Sequence, residues 1–163
     1  MDSPETPGTT PGTARHRWRT GYASGAFDQV HIGHLRYLRA AADQCERLVV
    51  GIPSDAVVAR AKGRVPLTPQ AERLELVAAF ACVAEALPVA VSMEDADLFA
   101  GLIAGLGIDA VFIGADWEDT PRWSRLRPRL EALGIGVIFL PRTEGISSSL
   151  LRARSGGAVE TPP

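Results

Sequence analysis

A chain of 163 residues, 46% hydrophobic and 22% charged, suffices for one compact domain with a substantial core and is too short for two full ones. A net charge of only -2 excludes the basic field with which nucleic-acid binders hold phosphate backbones, and no apolar run approaches the ~20 residues that span a bilayer, so neither nucleic acid nor membrane is expected as a partner. The two cysteines, Cys45 and Cys82, match no metal-site spacing and read as buried thiols of a reducing compartment.

Residues 1–16 are rich in Pro, Gly and Thr and lack the apolar stretch of a secretory leader; a disordered tail and a cytoplasmic location are expected. A first strand is predicted over 17–23, then a polar loop and a helix over 33–44. Strand 47–52 leads to a turn over 55–61, a basic stretch from Arg60 to Arg64 and a helix over 69–81, where Thr68 precedes the first-turn Pro69 as an N-cap. Strand 84–89, a helix over 93–106 with Ser92 and Asp95 as a capping pair, strand 110–113, helix 122–133, strand 136–140 and a short helix over 147–154 complete the folded part, 17–154. Residues 155–163 read as a second disordered tail. Strands alternating with helices, most of the strands continuous apolar runs, predict a Rossmann-like, doubly wound α/β fold around five parallel strands. In such a sheet ligands gather beyond the carboxyl ends of the strands, where the unusual polar residues of this chain fall.

The strongest signal is the loop after strand one, Gly25-Ala26-Phe27-Asp28 followed by His31-Ile32-Gly33-His34. Gly25 and Gly33 are expected to let backbone approach a ligand, Gly33 at a helix start whose free N–H groups favour an anion. His31 and His34, three apart on the opening turn, share a face from which both rings can donate to one phosphate; an isolated pair would instead read as a helix cap and a surface residue. Asp28 is expected to orient the loop by accepting backbone N–H bonds. Ser147, Ser148 and Ser149 offer hydroxyls and N–H groups at another helix start, suited to β- and γ-phosphates or to ordinary capping, and Arg142 adds a planar cation. Asp116 and Trp117 end strand four, facing a nucleotide or, for Trp117, packing at the sheet edge.

The segment Gly25-Ala-Phe-Asp28 with His31-Ile-Gly-His34 resembles the signature of the nucleotidyltransferases that share an HxGH motif. Arg142-Thr-Glu-Gly-Ile-Ser-Ser-Ser149 is similar to the cytidylyltransferase motif Arg-Thr-Glu-Gly-Ile-Ser-Thr followed by Thr or Ser, with hydroxyls kept where Thr is usual. Gly114-Ala-Asp-Trp-Glu118 resembles a segment of the glycerol-3-phosphate cytidylyltransferases, which have Asp where this chain has Ala115. Lys62 and Pro69-Gln-Ala-Glu-Arg73 also match that pattern, so the resemblance covers nearly all of the folded part.

The resemblance implies transfer of CMP from CTP, with Mg²⁺, to a small phosphate or phosphonate acceptor such as glycerol 3-phosphate, releasing pyrophosphate, and a homodimer by analogy. It gives catalytic roles to His31, His34, Lys62 and Arg142. Gly25, Ala26, Phe27, Asp28, Gly33, Gly114, Asp116, Trp117, Ile146 and the three serines fall to the nucleotide, and Arg64 and Arg73 to the acceptor. Lys62 would reach over the phosphates, its rival reading being a solvated basic loop. Such transfer needs positioning and charge stabilisation rather than a nucleophilic side chain, so the histidines are expected to stabilise the transition state, not to act as bases. An ATP-using adenylyltransferase and a catalytically silent nucleotide-binding module are the alternatives. No Gly-x-Gly-x-x-Gly turn follows strand one, which disfavours a nicotinamide-dependent dehydrogenase.

Overall fold

The computed structural model describes residues 16–155; apart from His16 and Ser155, the two predicted tails lie outside the described residues. Five strands, β1 (Trp18–Ser24), β2 (Cys45–Pro53), β3 (Glu85–Val89), β4 (Ala110–Gly114) and β5 (Gly136–Leu140), form one parallel sheet in the order β3-β2-β1-β4-β5. Each lies within about two residues of its predicted span. Between them run α1 (Ile32–Ala42), α2 (Asp55–Lys62), α3 (Gln70–Ala78), α4 (Ala96–Gly105) and α5 (Pro121–Ala132), and α6 (Ser148–Ser155) follows the last strand.

Alternation along the strands sends side chains to two cores. Tyr22, Val49, Val111 and Ile113 pack with Phe99, Ile103, Trp123, Leu126 and Leu130 of α4 and α5. Ala23, Leu48, Val50 and Phe112 pack with Leu38 and Ala41 of α1 and Val77 of α3. The register pairs Tyr22 with both Val49 and Val111, which keeps each layer continuous across the central strand. From β1 the chain adds strands first on one side and later on the other, so the switch point lies between the carboxyl ends of β1 and β4.

The predicted turn over 55–61 is a full helix. Ser54 Oγ accepts from the Val57 N–H at its start, and Gly63, left-handed at φ 69°, closes it. Thr68 is no side-chain cap: Pro69 holds the capping position, and Thr68 contributes backbone bonds instead. At α4, Asp95 alone accepts from the Leu98 N–H, while Ser92 Oγ accepts from Glu94 N–H in the preceding turn, so the expected pair is two separate turns. No helix of the described residues is long and apolar enough to cross a membrane.

Candidate active site

The loop between β1 and α1 leaves ordinary backbone conformations twice: Phe27 and Gln29 are left-handed, at φ 50° and 57°, which strains any residue with a Cβ. Asp28, between them, holds that geometry. It is 2% exposed and accepts from the N–H groups of Leu67 (3.0 Å) and Thr68 (3.1 Å), with Arg152 (3.3 Å) and Arg64 (3.5 Å) paired to its other oxygen. Burial alone would raise this carboxyl; the two N–H groups and two guanidiniums outweigh it and keep Asp28 below the ordinary carboxylate range.

The loop delivers His31 as the N-cap of α1. Its Nδ1 accepts from the Gly33 N–H (3.1 Å), while Nδ1 of His34 accepts from the His31 N–H (3.3 Å), a reciprocal capping box built from imidazoles. With both Nδ1 atoms accepting, the proton of each neutral ring belongs on Nε2. The rings stack with centroids 3.9 Å apart, and Phe27 meets His34 edge-on at 5.2 Å. Burial, then the charges of His31 and Lys62, push His34 down to about 4; burial and Arg142 lower His31 as well. Both rings are therefore neutral donors near pH 7, and capping and ligand donation use different nitrogens of the same residue. The two glycines also leave room that neighbouring side chains use. A Cβ on Gly33 would stand 2.9 Å from the His31 ring and 3.2 Å from Ile146, and one on Gly25 3.1 Å from the Phe27 ring, so the room they leave is filled by the protein itself.

Neutral burial of His34 has a measurable consequence. Its folded value of about 4 lies below the ordinary imidazole value of 6.5, so between those limits the unfolded chain binds the proton and the folded chain does not. The stabilisation is complete above pH 6.5 and is lost as pH falls toward 4, with a slope of up to about 1.4 kcal/mol per pH unit. Urea unfolding of wild type and His34→Asn from pH 7 to pH 4 is expected to give the shallower profile for the variant; parallel profiles would contradict a neutral buried ring.

A cavity of about 450 Å³ opens over this helix start, at the switch point. Gly25, Ala26, Phe27, His31, Gly33 and His34 line it from the first loop, and Lys62 reaches it from the end of α2. Gly114, Asp116 and Trp117, from the end of β4 and the 3-10 turn after it, also line it, as do Arg142, Ile146 and the three serines. Desolvation and the guanidiniums of Arg64 and Arg152 push the Lys62 ammonium below the usual lysine range. Arg142 pairs with Asp116 at 3.4 Å across the rim. Ser147 Oγ accepts from the Leu150 N–H as a cap, while Ser148 Oγ donates to the Asp28 carbonyl at 2.9 Å and so anchors α6 to the first loop.

Three expected site residues lie elsewhere. Arg73 is 0% exposed: its Nε donates to the Thr68 carbonyl (2.9 Å), Nη1 to Ala26 (2.7 Å), and Nη2 to Pro53 (2.9 Å) and to the Asp55 carboxylate (2.6 Å). Fully buried, with four of its five N–H donors so used, it does not line the cavity where an acceptor phosphate would lie. Asp28 holds the loop through the Leu67 and Thr68 N–H groups, as expected, and neither it nor Arg64, paired to it at 3.5 Å, lines the cavity. Conversely, Arg152 and Arg122 line the cavity and were not anticipated. Arg152 lies one helical turn beyond Ser148, a spacing that could have flagged it, and its Nη2 is buried without a partner among the described residues. Arg122 lies over the Trp117 ring at 4.8 Å and is held by Glu94.

A parallel α/β sheet whose switch point presents a helix start, two neutral imidazoles and several cations has the architecture of the nucleotidyltransferase superfamily. The chain belongs to the cytidylyltransferase-like family, whose model matches residues 22–154. It is 33% identical over 146 residues to the bifunctional protein HldE of Hyphomonas neptunium, covering 85% of this chain and 28% of that protein. The bifunctional protein HldE of Rhodospirillum rubrum is 42% identical over 103 residues, 63% of this chain and 20% of that one. The chain thus spans under a third of the length of these relatives. Among solved structures, a lipopolysaccharide core biosynthesis protein from Thermoplasma volcanium superposes with a TM-score of 0.61 at 25% identity, covering 77% of this chain and 96% of that one.

Proposed function

We propose that this protein transfers CMP from CTP to a small phosphate or phosphonate acceptor. The observation that carries the reading is the pair of neutral imidazoles sharing one helix start, opposite the serine-capped start of α6. An acceptor oxygen attacks the α-phosphorus in line, the bond from that phosphorus to the β-bridging oxygen breaks, and pyrophosphate leaves with the electron pair. The Nε2–H groups of His31 and His34 donate to the α-phosphate oxygens, where equatorial charge is held in the transition state. The α6 start, with Arg142 and Arg152, faces the β- and γ-phosphates, and Asp116 and Trp117 face the nucleoside. Mg²⁺ would bind chiefly through the substrate's own phosphates and would neutralise charge on the leaving group.

The relatives' names fix neither the base nor the acceptor. CTP is favoured because the Arg142 to Ser149 wall has the form of the cytidylyltransferase segment. With purified enzyme and both nucleotides in competition, kcat/KM for CTP is expected to exceed that for ATP by on the order of tenfold or more. A higher value for ATP would replace the base assignment and leave the transfer chemistry standing; no pyrophosphate release with either nucleotide would sink both.

Lys62 supplies the next test, because two anionic reactants must be brought together and its ammonium stands at the cavity rim. Lys62→Ala is expected to lower kcat by roughly ten- to a hundredfold while KM for the nucleotide shifts less. Steady-state rates within about twofold of wild type would identify Lys62 as an exposed surface charge.

A further inference from the structure

The cavity has a second character on its α4 and α5 side. The core layer between the sheet and these helices opens into it, so that Val89, Val91, Met93, Phe99, Ile113 and Trp123 form a continuous apolar wall. Polar groups are scarce there. Ser92 Oγ already accepts from Glu94 N–H, the Ser92 carbonyl from Asp95 N–H and the Val89 carbonyl from Ser54 N–H. Arg122 is held by Glu94 and lies over Trp117, and Asp116 is paired with Arg142 at the opposite rim. Trp123 is 1% exposed, and its indole N–H finds no acceptor among the described residues.

Resting on the transfer reading above, we infer that this lobe receives the body of the acceptor, and that the acceptor is a phosphate monoester or phosphonate with a compact apolar body rather than a polyhydroxylated one. The nucleoside belongs beside Trp117, because a base needs a polar edge and Asp116 provides one there. A polyol placed in the lobe would bury hydroxyl donors against hydrocarbon with few acceptors in reach, which is unfavourable, whereas methylene groups there leave water at a gain. The Ser92 O–H, which donates in none of the hydrogen bonds of the described residues, leaves the lobe one side-chain donor, enough for a single oxygen on an otherwise apolar body. At about 450 Å³ for the whole cavity, the body that fits beside a nucleotide is short.

A matched pair of acceptors tests this. n-Propyl phosphate and glycerol 3-phosphate share a carbon skeleton and a phosphate and differ by the hydroxyls. With wild-type enzyme and CTP, and ATP as a second donor, kcat/KM for n-propyl phosphate is expected to exceed that for glycerol 3-phosphate by on the order of tenfold or more. Val91→Asn and Met93→Gln, at half-buried positions that tolerate an amide, bring hydrogen-bonding groups to the wall and should shrink that ratio several-fold. Binding of the same two compounds without nucleotide, followed by saturation-transfer NMR, gives a readout independent of turnover. Faster turnover of glycerol 3-phosphate overturns the apolar acceptor and leaves nucleotidyl transfer intact. Selective binding of n-propyl phosphate, reduced in both variants, with no turnover of either donor supports the lobe and overturns the transfer reading. Equal binding of the pair overturns the lobe.

Discussion

His34→Ala is expected to lower kcat by roughly a hundred- to a thousandfold, the effect of removing one preorganised donor from a developing charge. The expectation follows from how the ring is fixed. Its Nδ1 accepts from the His31 backbone, its faces are set by His31 and Phe27, and burial keeps it neutral, so Nε2–H is aimed before any ligand arrives. A donor that needs no reorganisation acts mainly on the transition state, and KM for the nucleotide should therefore move less than kcat. Alanine also removes half of a capping box, at about 1 kcal/mol, so the loss must be separated from simple destabilisation. His34→Asn keeps an acceptor near the Nδ1 position and no donor near Nε2, and it should be as inactive as alanine while retaining the cap. His34→Gln, which carries an amide nitrogen further out, should recover part of the rate. A folded His34→Ala protein with near-wild-type kcat would remove the imidazole pair from the mechanism.

The second large effect is on stability. Arg73→Leu is expected to destabilise the fold by about 3 to 5 kcal/mol, measured by urea unfolding, because truncating a fully buried cation leaves its partners unsatisfied. Those partners are the carbonyls of Ala26, Pro53 and Thr68 and the Asp55 carboxylate, which come from three separate connections at the carboxyl end of the sheet. Arg73→Lys should recover little, since a single ammonium cannot reach all of these directions at once. If Arg73 held the acceptor instead, substitution would raise acceptor KM with stability changed by less than about 1 kcal/mol, an outcome that its burial argues against.

These residues also mark where the sequence was legible. The strands were readable because buried parallel strands are short apolar runs between turn residues, and the helices because their apolar positions recur at helical spacing. The order β3-β2-β1-β4-β5 leaves no such trace, since strand neighbours are chosen by packing between distant segments. His31, His34, Lys62, Arg142 and the serines were legible as types suited to phosphates at the ends of strands, and all line the cavity. Arg73 was not legible. Next to the exposed Ala71 and Glu72 it has the pattern of a surface cation, and only the carbonyls converging on it in space reveal a buried one. Not legible either was the packing at Gly33, where an added Cβ would meet the ring of the histidine two residues earlier.

The helix α6 differs from the others in one respect: none of its residues is fully buried. Eight residues are too few to be helical on intrinsic propensity, so its order rests on polar ties, Ser148 to the Asp28 carbonyl and Arg152 to the Asp28 carboxylate. With so few ties and no buried apolar face, this segment falls toward the low end of local stability. On the proposed transfer reading, part of the affinity for a bound polyphosphate would then be consumed in stiffening the helix, and the chain of phosphates would be held less tightly than the cations alone would allow. Since the by-product of that transfer would itself be a polyanion, a grip that loosens by local fraying would favour escape of pyrophosphate and with it the next turnover.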